Sequence, residues 1–334
     1  MSDQNSLLTL TGVTKRFGKP FSKVNLLLNQ LGASLRNEYV YAVSNINLQV
    51  ASKEVVGLVG ESGCGKSTLG RLAGGLLRPD GGTRTWRGKD MTAMTPEEIR
   101  GVRLSVQMIF QDPYASLNPR LRAKDSVTEA PIYHGLVSPK NRDEFAQSLF
   151  AKVGLNPEMM DRYPHQLSGG QRSRLGIARA LAVNPEFLIC DEAVAALDVS
   201  IQAQVLNLFM DLRADFNLTY LFISHDLGVV RHLTDRVVIM YLGRIVEEGA
   251  TAEIFARANH PYTKALLSEM PVIRAQHKTF HPVMGEIPSP MNPPSGCHFH
   301  PRCPHAIKRC SQEAPTLVQI APGHLSACHL NDLK

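Results

Sequence analysis

The chain lacks any run of about 18 consecutive apolar residues, so no segment is long enough to cross a bilayer as a helix. Its first residues, MSDQNSLLTLTG, lack the basic n-region and the long apolar core of a secretory signal. These two absences lead to an expected cytoplasmic location. Aromatic residues are few, at 6%, and Trp86 is the only tryptophan. No internal repeat is present, and the nearest approach to low complexity is a proline-rich piece at 282–294. The formal net charge is +6, but the basic residues are scattered rather than gathered in a run. That pattern reads as solubility, with a basic face toward nucleotide phosphates or anionic lipid headgroups as the alternative, and no nucleic-acid partner is expected. Cysteine is sparse for most of the chain, with only Cys64 and Cys190 before the tail, and then crowds at Cys297, Cys303, Cys310 and Cys328. In a reducing compartment such clustering suggests a metal before a disulfide. The remaining composition, 43% hydrophobic and 20% charged over 334 residues, is that of a globular protein with about two domains.

The most informative stretch is GESGCGKST, from Gly60 to Thr68. It fits the phosphate-binding pattern G-x-x-x-x-G-K-[ST] through Gly60, Gly65, Lys66 and Ser67. An aliphatic strand, Val55 to Val59, precedes it, and a helical stretch, 67–77, follows. Glycines 60, 63 and 65 let the backbone curl with its N–H groups toward phosphate oxygens. The helix start adds partial positive charge there. Lys66 can reach β- and γ-phosphates, and the Ser67 hydroxyl can ligate Mg²⁺.

Along the chain, 7–13 reads as a strand, 18–38 as an insertion, and 41–50 as a half-exposed strand. Gly81-Gly82 reads as a turn before a short strand at 83–87, and 106–110 as a strand ending at Gln111. From about 113 to 165 strand signals give way to helical ones, the pattern of an inserted helical subdomain. LSGGQ, at 167–171, opens a helix to about 183. A buried strand, 187–190, delivers Asp191 and Glu192. A helix is expected at 200–212, a strand at 218–224 ending at His225, and a hairpin around Gly243. After residue 270 apolar periodicity fades, and 271–334 reads as an irregular, cysteine-rich extension beyond an ATP-binding domain at 1–270.

Nucleotide hydrolysis needs a carboxylate to hold Mg²⁺ and a second group to polarise the attacking water. Asp191 and Glu192 suit these two tasks, and strand alternation would aim them apart. With GESGCGKST, Gln111, LSGGQ, FLICDE, AALD at 195–198 and His225 in one order, the chain resembles the ATP-binding subunit of an ABC transporter. The resemblance covers roughly residues 7–250. It implies an α/β fold with a RecA-like core, an antiparallel β-subdomain and the helical insertion. It also implies a head-to-tail dimer of two ATPase subunits, with each ATP shared between them. The ATP site in this chain would use Gly60, Ser62, Gly63, Cys64, Gly65, Lys66, Ser67, Thr68, Gln111 and Asp191. Mg²⁺ would lie on Ser67, Gln111 and Asp191, and catalysis would rest on Glu192, His225 and Gln111. Ser168, Gly169, Gly170 and Gln171 would meet the partner's ATP, and Asp198 would act across the interface. Adenine would stack on Phe17, with Tyr41 as the alternative. Where the family often has proline and serine, this chain has Ala193 and Ala195. Neither position supplies a group the chemistry needs.

QDPYASLNPR at 111–120, YPHQLSGGQ at 163–171 and HPYTKALL at 260–267 look like importers of the oligopeptide/dipeptide class. So does the tail, GCHFHPRCPHAIKRC…GHLSACH. The resemblance implies a [4Fe–4S] cluster on Cys297, Cys303, Cys310 and Cys328. Zinc and unligated cysteines stay open as alternatives, as does mixed ligation by His298, His300, His305, His324 or His329. The implied partners are a second ATPase subunit, two transmembrane permeases and, indirectly, an extracytoplasmic solute-binding protein, with this chain peripheral on the cytoplasmic face. The transported solute would be a di- or oligopeptide, with nickel or another small solute as the alternative. The competing class, a soluble ABC ATPase acting on DNA or ribosomes, is disfavoured by the absence of sustained heptads and by a single ATPase domain.

Overall fold

The computed structural model describes residues 6–18, 39–270 and 285–333. Two long strands open the chain, β1 (Ser6–Phe17) and β2 (Val40–Ala51). Most of the expected insertion, 19–38, lies outside the described residues. β3 (Val55–Val59) leads through the glycine loop into α1 (Lys66–Ala73). The helix stops short of residue 77, where Gly74 caps it and Gly75 takes φ +74°. β4 (Gly81–Trp86) and β5 (Lys89–Asp90) complete an antiparallel sheet in the order β2-β1-β4-β5. Gly81 and Gly82 are therefore strand residues rather than a turn. Gly82, at φ +82°, lies so close to the Gly12 backbone that a Cβ would meet it at 2.5 Å. Sheet pairing overrides the local turn signal of the two glycines.

α2 (Pro96–Ser105) precedes β6 (Val106–Ile109). Its start carries a capping box between Thr95 and Glu98 with Pro96 in the first turn, a signal present in the sequence as T-P-E-E. The helical region follows with α3 (Pro113–Ser116), α4 (Ala123–Tyr133) and α5 (Arg142–Lys152), joined by short 3₁₀ turns to α6 (Gly169–Leu181). Val127, Leu149 and Phe150 from these helices share one core cluster with Leu175, Leu188, Tyr220 and Phe222. The insertion is thus cored together with the main sheet.

The chain then runs through β7 (Phe187–Asp191), α7 (Val199–Phe216), β8 (Thr219–Ser224), α8 (Leu227–Leu233), β9 (Arg236–Tyr241), β10 (Arg244–Ala250), α9 (Thr251–Arg257) and α10 (Pro261–Ser268). α7 outruns its expected end by four residues and closes at Asn217, which takes the left-handed conformation. The strands β9-β3-β8-β7-β6 are parallel, and β3, β7 and β8 are buried along their whole length. Such strands read as continuous apolar runs because helices cover both faces.

The tail supplies α11 (Lys308–Gln312), β11 (Val318–Ala321) and β12 (His324–Ser326). β12 pairs antiparallel with β10 through Glu247↔Ser326 and Glu248↔Leu325, and β11 pairs with β12. The described part of the extension is therefore not irregular, because it adds two strands to the edge of the main sheet. Three- and four-residue edge strands pair through backbone groups and need no apolar alternation, so the sequence pattern did not reveal them. Phe299 is 2% exposed and packs edge-on against Tyr241, with ring centroids 5.3 Å apart.

Candidate active site

Parallel pairing puts the carboxyl ends of four strands at one level. Val59 is opposite Ser224, Asp191 opposite Ile223, and Ile109 opposite Cys190. The next residues, Gly60, His225, Glu192 and, two positions on, Gln111, gather at this edge. Ligands bind at such strand ends in open α/β sheets.

Close packing dictates the glycines of the loop. A Cβ on Gly60 would lie 2.1 Å from the Met240 carbonyl oxygen, and one on Gly65 would lie 2.0 Å from that of Ala42. Gly65 also needs φ +107° as the cap of α1. Lys66 is 4% exposed, and its Nζ donates to the carbonyl oxygens of Gly60 at 2.7 Å and Glu61 at 3.0 Å. The ammonium thus folds back over the loop mouth. Ser62, Gly63 and Thr68 complete the loop and the first turn of α1. Cys64 is buried, and burial pushes its thiol up to about 11. It contributes backbone and packing rather than a reactive sulfur.

Ser67 Oγ donates to Asp191 Oδ1 at 2.8 Å, so the hydroxyl and the carboxylate expected to serve Mg²⁺ meet directly. Burial raises the Asp191 pKa, against the lowering effect of the Ser67 hydrogen bond. Glu192 diverges from Asp191 for a reason beyond strand alternation. β7 ends at Asp191, and Glu192 takes φ +48°. A bulky residue at positive φ is strained and persists only where its surroundings hold it. Here the Glu192 N–H donates to the Ile223 carbonyl at 3.0 Å, and two groups meet its carboxylate. Gln111 Nε2 donates to Oε2 at 2.8 Å, and His225 Nδ1 lies 3.4 Å from Oε1. Gln111 therefore reaches Glu192 rather than the Ser67–Asp191 pair.

The LSGGQ residues lie at the start of α6. Ser168 Oγ accepts from the Gln171 N–H at 3.3 Å, and the Ser168 N–H donates to Gln171 Oε1 at 2.9 Å. This is a capping box, legible as S-x-x-Q. Ser168 and Gly169 are exposed, and Gly170 backs onto Ile201. Among the described residues no hydrogen bond joins this corner to the phosphate loop of its own chain. Asp198, exposed just before α7, is followed by Val199, which is 83% exposed.

The sequence match agrees with this geometry. Residues 43–195 match the model of the ABC transporter family, and residues 246–310 match that of the oligopeptide/dipeptide transporter C-terminal region. The oligopeptide transport ATP-binding protein AppF of Bacillus subtilis is 49% identical over 295 residues, spanning 87% of this chain and 90% of that protein. A probable peptide ABC transporter ATP-binding protein, y4tS, of Sinorhizobium fredii is 51% identical over 292 residues, spanning 87% of this chain and 83% of its own. The chain belongs to the ABC transporter ATP-binding family. Within solved structures, the ABC ATPase resembles a dimeric post-hydrolysis state of the ATP-binding cassette MJ0796 bound to ADP and phosphate. The TM-score is 0.62 at 28% identity, over 73% of this chain and 98% of that one.

Both aromatic candidates of this ATPase lie on the paired strands β1 and β2, one register step apart, and both are exposed, Phe17 at 41% and Tyr41 at 37%. Tyr41 donates its N–H to the Pro290 carbonyl of the tail at 3.0 Å. In the tail itself, Cys297, Cys303, Cys310 and Cys328 line one small cavity of about 10 Å³, together with His300, His305 and His329. Burial pushes the Cys297 thiol up to about 11 and raises those of Cys303 and Cys328. Among the described residues no group of three His, Cys, Asp or Glu side chains could hold a metal ion. His298 and His324 are committed elsewhere, to the Leu242 carbonyl and to Glu247.

Sequence reasoning missed the role of Glu61 within the loop and the residues that brace it from outside, Tyr241, Tyr262 and Arg302. Glu61 occupies a variable place in the motif pattern, and nothing local marks the other three.

Proposed function

We propose that this chain is the ATP-hydrolysing subunit that energises peptide import by an ABC transporter, acting at the cytoplasmic face of the membrane. The observation that supports this best is the shared Glu192 carboxylate, held by Gln111 and His225 beside the Ser67–Asp191 pair. In this reading Lys66 leaves the loop carbonyls for the β- and γ-phosphates. Ser67 and Asp191 hold Mg²⁺, which when bound neutralises charge on the transferring phosphoryl group. Glu192 accepts the proton of the attacking water, and His225 and Gln111 fix its carboxylate. Ser168, Gly169, Gly170 and Gln171 face the ATP of a second ATPase subunit, and Asp198 lies at the same interface. Exposed Tyr114, Tyr133 and Leu136 of the helical region, at 50%, 76% and 52%, offer apolar contacts to transmembrane permeases. No helix among the described residues is long and apolar enough to cross a membrane. The similarity to AppF, named for oligopeptide transport, favours peptides over nickel as the solute.

For the four tail cysteines, the reading that follows from the family is a [4Fe–4S] cluster. Four thiols on one cavity fit it in donor number and type. A single ion needs donors about 2.3 Å from one centre, and no described group provides that. As the side chains stand they hold neither zinc nor a cluster, and zinc and unligated cysteines are the alternative readings. The cavity holds about one water as it stands, so its walls must open to admit a cluster. Anaerobic purification with iron and sulfide assays tests this, and an iron-free, colourless protein overturns it. The transport function is tested by reconstituting the chain with its permeases and second ATPase in vesicles. ATP turnover should rise with peptide and solute-binding protein, and turnover indifferent to any peptide would refute the assignment.

A further inference from the structure

The segment 297–303 is not part of the ATP site, yet it grips the phosphate loop from two sides. The side chain of Arg302 is 5% exposed. Its Nη1 donates to Glu61 Oε2 at 2.7 Å and its Nη2 to Glu61 Oε1 at 3.0 Å, the two-bond fork of a guanidinium on a carboxylate. Nη1 also lies 3.3 Å from the Tyr241 hydroxyl. On the other side, His298 Nδ1 lies 2.8 Å from the Leu242 carbonyl oxygen, and the next residue, Gly243, donates its N–H to the Cys64 carbonyl at 2.9 Å.

Glu61 is the point where these constraints meet. Its carbonyl accepts from Lys66 Nζ, and its N–H donates to the Tyr262 hydroxyl at 2.9 Å. Its carboxylate would otherwise stand as a negative charge in a loop built to receive a polyphosphate. Like charges oppose each other more strongly where water is partly excluded.

We infer that Arg302 is a positioning residue for ATP. It neutralises Glu61 and fixes the Glu61 side chain, so the loop meets phosphate with Lys66 and its other N–H groups rather than with a free carboxylate. The inference rests on Gly60–Thr68 being the phosphate cradle. It gives the C-terminal extension a role in nucleotide binding that does not depend on what the four cysteines hold.

The test measures the Kd of the full-length chain for Mg·ATP and its thermal midpoint without nucleotide. Arg302→Met should weaken Mg·ATP about tenfold, the effect of losing one coupled charged pair. Adding Glu61→Gln should restore affinity to within about threefold of wild type, because the repelling charge is then gone. A purely structural brace would shift the thermal midpoint and the affinity together in both variants, whereas a positioning role shifts affinity beyond what the midpoint accounts for. Arg302→Met with wild-type affinity, or a double variant as weak as the single, overturns the inference. If Arg302→Met does not fold, Arg302→Lys is measured in its place. It should show a smaller loss that Glu61→Gln relieves, and the absence of that relief overturns the inference equally. Lys66→Ala is run alongside. Wild-type affinity there would sink the phosphate-loop assignment itself, whereas lost affinity beside an unaffected Arg302→Met sinks only the role of Arg302.

Discussion

At the carboxyl ends of β3, β6, β7 and β8, the chemistry-bearing side chains hold one another. Lys66 is tied to two loop carbonyls, Ser67 to Asp191, and Gln111 and His225 to Glu192. At the N-terminus of α6 the situation differs. The side chains of Ser168 and Gln171 cap each other's N–H groups, and Ser168, Gly169 and Asp198 face solvent. The first region is a half-site preorganised by its own chain. The second has the geometry of a helix start that can receive an anion, but no anion site of its own chain faces it. Under the proposed function, the difference would let one chain bind nucleotide while hydrolysis waits for a second subunit. Contacts of α6 with the rest of the chain link the two regions. Arg172 of α6 sits over the Tyr114 ring at 5.1 Å, and Arg179 of α6 donates to the Ser116 carbonyl. Both contacts tie α6 to the segment after Gln111.

The contrast can be broken most severely at Glu192. Glu192→Gln keeps the shape and the Gln111 contact but cannot accept a proton. Turnover of the assembled complex should fall by at least about 10²-fold, with Mg·ATP affinity little changed. Wild-type turnover in that variant would remove Glu192 from catalysis. Ser168→Ala probes the other half. Turnover of the assembled complex should drop about tenfold or more, in the range of a lost anion donor, while the isolated chain binds Mg·ATP as before. The lost cap costs about 1 kcal/mol of stability, visible as a modest fall in thermal midpoint. Weakened ATP binding by the isolated chain would place Ser168 in the wrong half-site.

The smallest expected effect concerns the seam between the ATPase core and the tail. His260 is 1% exposed and packs beside Phe299. Burial, with a smaller push from Lys264, lowers its pKa to about 3. In the unfolded chain the ring titrates near 6.5. Between these values the unfolded chain binds a proton that the folded chain does not, so stability falls as pH drops from about 6.5. The slope is at most about 1.4 kcal/mol per pH unit. Comparing thermal midpoints at about pH 7.5 and pH 5, His260→Gln should lose less than wild type. An equal loss in both would show that His260 does not govern this limb.

The phosphate loop, the strand ending in Asp191, LSGGQ and His225 were all legible in order along the chain. Each is a local pattern with a local cause: glycines forced by a tight loop, an apolar run forced by burial on both sheet faces, a cap forced by unpaired N–H groups. Other features have no local signature. The left-handed turn at Glu192 depends on the Ile223 carbonyl of a neighbouring strand. The Gly81-Gly82 strand depends on pairing with β1. The tail strands depend on an edge that β10 presents.

Arg302 is the extreme case, since it meets Glu61 across 241 positions of sequence. The sequence by itself determined which atoms can cradle phosphate and which carboxylates stand ready. Only the tertiary structure decided that the loop would be braced from the tail, because a guanidinium fork and a carboxylate recognise each other by distance and direction, and neither is written in sequence spacing.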